Sequence, residues 1–144
     1  FAYHNDPEKT REAQNPKFPN WSTMGDVGYI DADRYLFLTD RKSFMIISGG
    51  VNIYPQAIED ALVLHPDVAD VAVIGVPNDD FGEEVKAVVQ LASGVEETTA
   101  LADDLIAFAR ARVAAYMAPR SVDFVDELPR LPTGKLYKNK LRET

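Results

Sequence analysis

The 144-residue sequence contains no cysteine, which excludes disulfides, thiolate nucleophiles and thiolate metal sites. This composition fits a reducing compartment, so the cytoplasm is the expected location. No apolar run approaches the roughly 20 residues that a membrane helix needs, and the start of the chain lacks the basic and apolar regions of a signal peptide. The first residue is Phe1 rather than Met, which suggests a processed piece of a longer protein.

The sequence also lacks the residue patterns of most catalytic sites. His4 and His65 lie far apart, without a serine or acidic partner at a diagnostic spacing, so a catalytic triad is unsupported. His65, beside Pro66 at a predicted helix end, is expected to be a capping or surface residue. Metal-ligand spacing is absent, and we predict no metal site. There is no Walker-type glycine loop, so any ATP triphosphate must be held mainly by something outside this chain.

The charge is strongly acidic and unevenly distributed. A formal net charge of −8 argues against a general nucleic-acid binder, because phosphate backbones select for lysine and arginine. Residues 130–144 nevertheless contain five basic residues against one acid, a charge of +4, which leaves −12 on the rest. A basic tip on an acidic body suits a small anion such as a nucleotide phosphate, although a solvated tail explains the charge equally well.

The apolar pattern predicts an α+β fold, with a small mixed sheet covered by helices and preceded by a β-hairpin. Residues 1–22, interrupted by Pro7, Pro16 and Pro19, are expected to form an irregular arm. The hairpin is predicted at residues 27–30 and 35–39. The other predicted strands are 44–48, ended by a glycine pair, and 68–76, 85–91 and 122–125. Helices are predicted to begin at Pro55, after a Thr99 cap, and near the basic C-terminus.

One short segment, Pro132-Thr133-Gly134-Lys135, indicates chemistry more directly. A lysine at a glycine-containing turn can reach a phosphate as a compact point charge, while the proline limits the freedom of the loop. The alternative is an ordinary solvated lysine in a common kind of turn.

Five segments, in order, resemble the C-terminal part of the adenylate-forming superfamily, which includes acyl- and aryl-coenzyme A synthetases, peptide-synthetase adenylation domains and luciferases. They are NDPEKT at 5–10, MGDVGY at 24–29, TDRK at 39–42, IISGGVNIYP at 46–55 and LPRLPTGKL at 128–136. The resemblance covers nearly the whole chain. It implies an AMP-binding ligase that forms an acyl adenylate from a carboxylate and ATP, and then a thioester with coenzyme A.

The resemblance also implies a role for individual residues. Lys135 would be the catalytic lysine that stabilises charge as the carboxylate meets the α-phosphate. Asp26 would accept hydrogen bonds from the ribose hydroxyls, and Arg41 would donate to the nucleotide. For Asp26 the alternative is an ordinary hairpin cap.

Asp40 is similar to the family's hinge residue, which divides the chain into residues 1–40, from the end of a large domain, and a lid domain at 41–144. Ser48, Gly49 and Gly50 would border the channel for the pantetheine arm of coenzyme A. The alternative for the two glycines is a tight bulge that needs positive φ.

The sequence departs from the family pattern in three places. Met24 stands where a threonine often precedes Gly25, although Thr23 is adjacent. Arg34 occupies a hairpin-turn position where glycine is usual, so positive φ there would introduce about 1 kcal/mol of strain. Ser43-Phe44 replaces a more usual acidic residue.

The leading hypothesis is therefore the C-terminal domain of an acyl-coenzyme A synthetase, with a general setting in fatty acid metabolism and no activity as an isolated fragment. Its implied partners are the missing N-terminal domain, a small carboxylic acid, ATP/AMP and coenzyme A, with Mg²⁺ expected through the missing domain. Two alternatives remain: an adenylation domain that loads a carrier protein, and a non-catalytic interaction module of the same fold. Acetylation of Lys135 would remove its charge and is a further hypothesis.

Overall fold

The computed structural model describes residues 2–18 and 20–142, so the predicted break at Pro19 lies outside the described residues. The chain divides into two compact units, Phe1–Ser43 and Phe44–Thr144. Each unit has its own sheet.

The first unit begins with a helix, α1, at Pro7–Ala13. The Asp6 carboxylate accepts a hydrogen bond from the Lys9 amide at 2.9 Å and so caps the helix. Pro7 occupies the first turn, where the missing amide hydrogen costs nothing and the fixed φ favours the helix. The prediction of an irregular arm is therefore wrong here, because Pro7 starts a regular element instead of interrupting one.

The predicted hairpin is present as β1, Asp26–Ile30, paired antiparallel with β2, Leu36–Arg41. Asp31 closes the connection, since its carboxylate accepts from the Tyr35 amide at 2.8 Å. Arg34 has a φ of 69°. This is the left-handed conformation considered above for a turn position where glycine is usual. The strain expected at this position therefore has its structural basis.

The sheet of the second unit has five strands. They are β3 at Ile46–Ser48, β4 at Val51–Ile53, β5 at Val68–Asn78, β6 at Gly82–Leu91 and β7 at Ser121–Val125. β6 pairs antiparallel with β5 along its length, parallel with β7, and with β3 through one pair, Ser48 and Gly82. The predicted mixed sheet is confirmed. The strand predicted at 44–48 is shorter than expected because Lys42–Phe44 forms a 3₁₀ turn, and β4 was not predicted.

Three helices accompany this sheet: α2 at Pro55–Leu62, α3 at Thr99–Arg110 and α4 at Lys138–Arg142. The cap of α3 is Thr98 rather than Thr99, since the Thr98 hydroxyl accepts from the Leu101 amide at 3.1 Å. The cap is thus one residue earlier than predicted.

Both faces of the β5–β6 pair are buried. Val71 and Val73 of β5 pack in a cluster with residues of α2 and α3, among them Leu62 and Leu105. Ala72 and Ile74 point to the other face, where Leu128 completes a second cluster against which Leu136 and Leu141 pack. Burial on both faces explains why β5 is a nearly continuous apolar run. Leucines on both sides of Lys135 therefore pack in or against the core.

Candidate functional site

The predicted ribose residue and its arginine partner lie side by side. Asp26 and Arg41 are register partners in the β1–β2 hairpin, and the Arg41 Nε lies 3.2 Å from the Asp26 carboxylate. The side chains remain 32% and 47% exposed, so the ion pair contributes little to stability and both groups face solvent. The structure therefore brings together the two residues predicted to bind the nucleotide.

An open cavity of about 750 Å³ lies in the same unit. It is lined by Tyr3, Lys9, Glu12, Ala13, Thr23, Met24, Gly25, Arg41, Lys42 and Ser43. Three of these residues are cationic and one is a carboxylate, so the cavity is suited to an anion. Thr23 supplies a hydroxyl next to the exposed Met24, but this hydroxyl accepts from the Gly25 amide at 3.0 Å and stabilises the turn.

Asp40, the predicted hinge residue, lies within β2. Its carboxylate accepts a hydrogen bond from the Arg41 amide at 2.6 Å. The division between the two compact units falls after Ser43, three residues beyond the predicted boundary. A hinge at Asp40 stays a prediction.

Gly49 and Gly50 form the two-residue turn between β3 and β4. Their φ values are 56° and 79°, and the Gly49 amide donates to the Phe81 carbonyl at 2.9 Å. Two successive positive φ values are what the tight turn of a β-hairpin demands, so both glycines have a conformational reason. Ser48, the last residue of β3, pairs with Val51 across this turn. The role of these residues in a coenzyme A channel stays a prediction.

Lys135 lies at an ordered turn. The Gly134 amide donates to the Leu131 carbonyl at 2.8 Å, which closes a β-turn with Pro132 at its second position, and Gly134 has a φ of 82°. The Leu131 amide then donates to the Lys135 carbonyl at 2.8 Å. The side chain of Lys135 is exposed, and no partner for its amine occurs in the described parts of the chain, 2–18 and 20–142. We call residues 130–136 the lysine loop.

Arg130 was not predicted to have a role, although it holds the lysine loop. Its Nη1 donates to the Gly134 carbonyl at 2.8 Å, while its Nη2 pairs with the carboxylate of Asp70 on β5. Sequence spacing could not reveal this contact, because the two charged residues belong to elements that meet only in the folded sheet.

A buried ion pair anchors the segment that follows. The Lys138 Nζ lies 2.6 Å from the Glu59 carboxylate, and the side chains are only 8% and 11% exposed. The same carboxylate accepts from the Val73 amide at 2.7 Å, so it satisfies a backbone donor at the outer edge of β5. Lys138 was predicted only as one charge of a basic helix, yet it is part of the core.

His65 is buried rather than exposed at the surface. It is 7% exposed, its Nδ1 accepts from the Asp67 amide at 3.2 Å, and its Nε2 lies 3.1 Å from the Asp104 carboxylate. The prediction of a capping or surface residue is wrong about exposure, because the ring packs edge-on against Phe108 and links α3 to the end of α2. Both ring nitrogens are occupied by structural contacts.

Among the described residues, no group of three or more histidines, aspartates and glutamates could hold a metal ion. None of the described helices is both long enough and apolar enough to cross a membrane.

The glycine turn and the lysine loop are attached to opposite ends of the β5–β6 hairpin. Ser48 pairs with Gly82 beside the closed end of that hairpin, whereas Arg130 contacts Asp70 near its open end. The eight residue steps from Asp70 to Asn78 span about 26 Å at the rise of a β-strand. The length of the β5–β6 hairpin therefore separates the points at which the two predicted functional segments are attached.

Residues 57–135, more than half of the chain, match the model of the AMP-binding enzyme C-terminal domain. The chain belongs to this family, and it corresponds to the C-terminal part of acyl-coenzyme A ligases and related adenylate-forming enzymes.

Particular relatives agree with this assignment. The chain is 47% identical over 143 residues to a 3-[(3aS,4S,7aS)-7a-methyl-1,5-dioxo-octahydro-1H-inden-4-yl]propanoyl:CoA ligase of Rhodococcus jostii, covering 99% of this chain and 27% of that protein. It is 41% identical to the long-chain-fatty-acid–CoA ligase FadD13 of Mycobacterium tuberculosis, over 98% of this chain and 27% of that protein. The chain thus spans about a quarter of the length of these relatives.

Solved structures show the same fold. ATP-bound MatB from Rhodopseudomonas palustris superposes with a TM-score of 0.85 at 37% identity, over 99% of this chain and 27% of that one. An o-succinylbenzoate CoA synthetase from Bacillus subtilis, in complex with its acyl-adenylate intermediate, gives a TM-score of 0.82 at 32% identity, over 99% and 28%. The predicted fold class and family are confirmed.

Proposed function

We propose that this chain is the lid domain of an AMP-forming acyl-coenzyme A synthetase and delivers Lys135 to a nucleotide held mainly by a larger domain. A carboxylate oxygen attacks the α-phosphorus of ATP and pyrophosphate leaves. The thiol of coenzyme A then attacks the acyl carbon, and AMP leaves. The observation that carries the proposal is the exposed Lys135 amine on an ordered turn, in a chain whose relatives are coenzyme A ligases.

In the first step, Lys135 supplies a positive charge that stabilises the transition state. Negative charge accumulates where the carboxylate meets the α-phosphate, and an ammonium group delivered to that point stabilises the transition state more than the separated reactants. The turn supports this role because Pro132 and the hydrogen bond from the Gly134 amide to the Leu131 carbonyl restrict the backbone on which the amine is presented. Removal of one such electrostatic contact typically lowers a rate about 10²- to 10³-fold.

Asp26 and Arg41 bind the nucleotide in this proposal. The Asp26 carboxylate accepts from two ribose hydroxyls, and the Arg41 guanidinium, 3.2 Å away, keeps the carboxylate oriented and adds a donor. The cationic lining of the adjacent cavity supports binding of an anionic ligand in this unit.

The lid works in two poses. Because Lys135 and the Gly49–Gly50 turn are attached about 26 Å apart along one sheet, they serve a single active centre in turn, after the lid rotates. Asp40 is the proposed pivot, and Ser48, Gly49 and Gly50 border the thiol channel in the second pose. A turn without side chains leaves room for the pantetheine arm.

ATP/AMP and coenzyme A are thus the proposed cofactors. Mg²⁺ is assigned to the larger domain, since the described residues offer no acidic cluster to hold it. Fatty acid metabolism and a cytoplasmic location remain expectations, and the acyl substrate is selected by residues outside this chain.

A carrier-protein acceptor is the alternative. The IISGGVNIYP segment favours free coenzyme A because it is the form typical of synthetases. Competition between coenzyme A and a carrier protein for the acyl adenylate distinguishes the two acceptors. A non-catalytic module is disfavoured by the joint presence of Asp26, Arg41 and Lys135.

The proposal is tested by measuring the two half-reactions separately in the full-length enzyme. Lys135→Ala is expected to lower the rate of pyrophosphate release about 10²- to 10³-fold, while thioester formation from a supplied acyl adenylate continues. Lys140→Ala, which removes another exposed lysine five residues later, is the matched control and should affect neither step. Equal loss of both half-reactions in Lys135→Ala would contradict the assigned role, and pyrophosphate release by the 144-residue chain alone would contradict the need for a larger domain.

A further inference from the structure

The Arg130 guanidinium joins the lysine loop to the edge strand β5. One terminal nitrogen donates to the Gly134 carbonyl at 2.8 Å, and the other pairs with the Asp70 carboxylate. The Gly134 carbonyl belongs to the peptide group that links Gly134 to Lys135. The contact therefore acts on the peptide plane from which the Lys135 side chain projects.

The other end of this bridge is itself fixed. Asp70 lies at an irregularity in the pairing of β5 with β6. One oxygen of its carboxylate accepts from the Val71 amide at 2.9 Å, which leaves the other oxygen directed at Arg130. A chain of oriented contacts thus runs from the sheet through a single side chain to the lysine loop.

These contacts need an arginine. A guanidinium is a rigid planar fork that reaches two acceptors at once, whereas a lysine ammonium is a point charge on a flexible stem. The pair contributes little to global stability, because Arg130 and Asp70 are 45% and 30% exposed. The contact does, however, tie the Gly134 carbonyl to β5 through one side chain.

The two ends of the lysine loop are anchored separately from the Arg130 contact. Leu128 and Leu136 pack in the second core cluster, and the Tyr137 amide donates to the Pro129 carbonyl at 2.8 Å. Pro132 and Thr133, at the tip, are exposed. Arg130 therefore holds the loop between its buried base and its exposed tip.

We infer that Arg130 is a positioning residue for Lys135, holding the lysine loop in the orientation that delivers the amine, with Asp70 as its anchor. This inference rests on the proposed function. It predicts that loss of the Arg130 contact mimics a partial loss of Lys135 without unfolding the domain.

The first test measures the order parameters of backbone amides in the 144-residue chain by nitrogen-15 NMR relaxation. In Arg130→Gln and Asp70→Asn, the order parameters of Gly134 and Lys135 are expected to fall from about 0.85, the rigid range, toward 0.6. Asp123→Asn is the matched control, since it removes the partner of another surface ion pair, Lys86–Asp123, in β6 and β7. Unchanged order in both test variants would overturn the inference.

The second test measures adenylation in the full-length enzyme. Arg130→Gln is expected to lower the rate of acyl-adenylate formation roughly 10- to 100-fold, because small misplacements of a reacting group have effects of this size. The KM for ATP and the thioester half-reaction should not change. Arg130→Lys, which keeps the charge but not the fork, should recover only part of the rate.

A double-mutant cycle separates positioning from any independent role. If Arg130 acts through Lys135, Arg130→Gln should have no further effect in a Lys135→Ala background. The inference would be overturned if the two substitutions lowered the adenylation rate by independent factors that multiply in the double variant. It would also be overturned by a normal adenylation rate in Arg130→Gln when Lys135→Ala is slow. A normal rate in Lys135→Ala would instead overturn the proposed function and with it any catalytic part for Arg130, while the relaxation measurement would still decide whether Arg130 orders the loop.

Discussion

Replacement of Lys138 by methionine should destabilise the second unit far more than its place in a basic C-terminal segment indicates. The change removes the ammonium 2.6 Å from the Glu59 carboxylate and keeps a side chain of similar length. Glu59 is left as a nearly buried charge that still accepts a hydrogen bond from the Val73 amide. Removing one partner of a buried ion pair lowers the free energy of unfolding by about 3–5 kcal/mol. Because the Val73 contact survives, we expect about 3 kcal/mol, a large part of the 5–15 kcal/mol that stabilises a typical domain.

The assay is urea denaturation followed by far-ultraviolet circular dichroism. Lys86→Met is the control, since Lys86 pairs with Asp123 at 2.8 Å on the surface and its loss should cost less than about 1 kcal/mol. The double variant Glu59→Gln/Lys138→Met should recover most of the stability, because the amide oxygen of glutamine still accepts from Val73 and no charge is buried. The reasoning is refuted if Lys138→Met costs no more than Lys86→Met, or if the double variant is less stable than Lys138→Met.

Three further predictions concern single positions. Gly50→Ala should destabilise the β3–β4 hairpin by about 1–2 kcal/mol, because alanine is strained at a φ of 79°. An added Cβ would touch nothing within 4 Å, so the whole cost comes from the backbone. Gly50→Asn should cost less, because asparagine tolerates the left-handed conformation better. If the turn also borders the thiol channel, both variants slow thioester formation in the full-length enzyme; normal thioester formation in Gly50→Asn would limit the glycine to its conformational role. Arg34→Gly should raise the free energy of unfolding by up to about 1 kcal/mol in urea titrations, and a loss of stability would show that relief of strain is smaller than the entropy that glycine adds to the unfolded chain. Asp26→Asn should weaken ATP binding by calorimetry about 10- to 100-fold in the full-length enzyme, and unchanged affinity would remove Asp26 from the nucleotide site.

The fold was predictable wherever local pattern and burial agree. The β-branched runs of β5 and β6 and the helix-starting Pro55 gave the sheet and α2 close to their observed bounds. β4 was missed because it is only three residues long and the glycine pair before it indicates an end as readily as a hairpin turn. Pro7 was read as an interruption because proline breaks helices in their interior and starts them at the first turn.

The candidate site was predictable only in part. The identities of Asp26, Arg41 and Lys135 came from short motifs, and the pairing of the first two follows from hairpin register. The contacts that hold the lysine loop could not be predicted from short motifs, because Arg130 and Asp70 meet only after the sheet has formed. A charged residue in a basic tail gives no local signal that it will be anchored to a distant strand.

The central claim is that a positively charged amine at Lys135 promotes attack of the carboxylate on ATP. The most direct measurement is the single-turnover rate of acyl-adenylate formation by full-length enzyme carrying Nε-acetyllysine at position 135, before and after enzymatic deacetylation. Acetylation removes the charge and leaves the backbone of the lysine loop unchanged. The account predicts a rate at least about 100-fold lower in the acetylated enzyme and its recovery on deacetylation. An acetylated enzyme that forms the adenylate at the unmodified rate would contradict it.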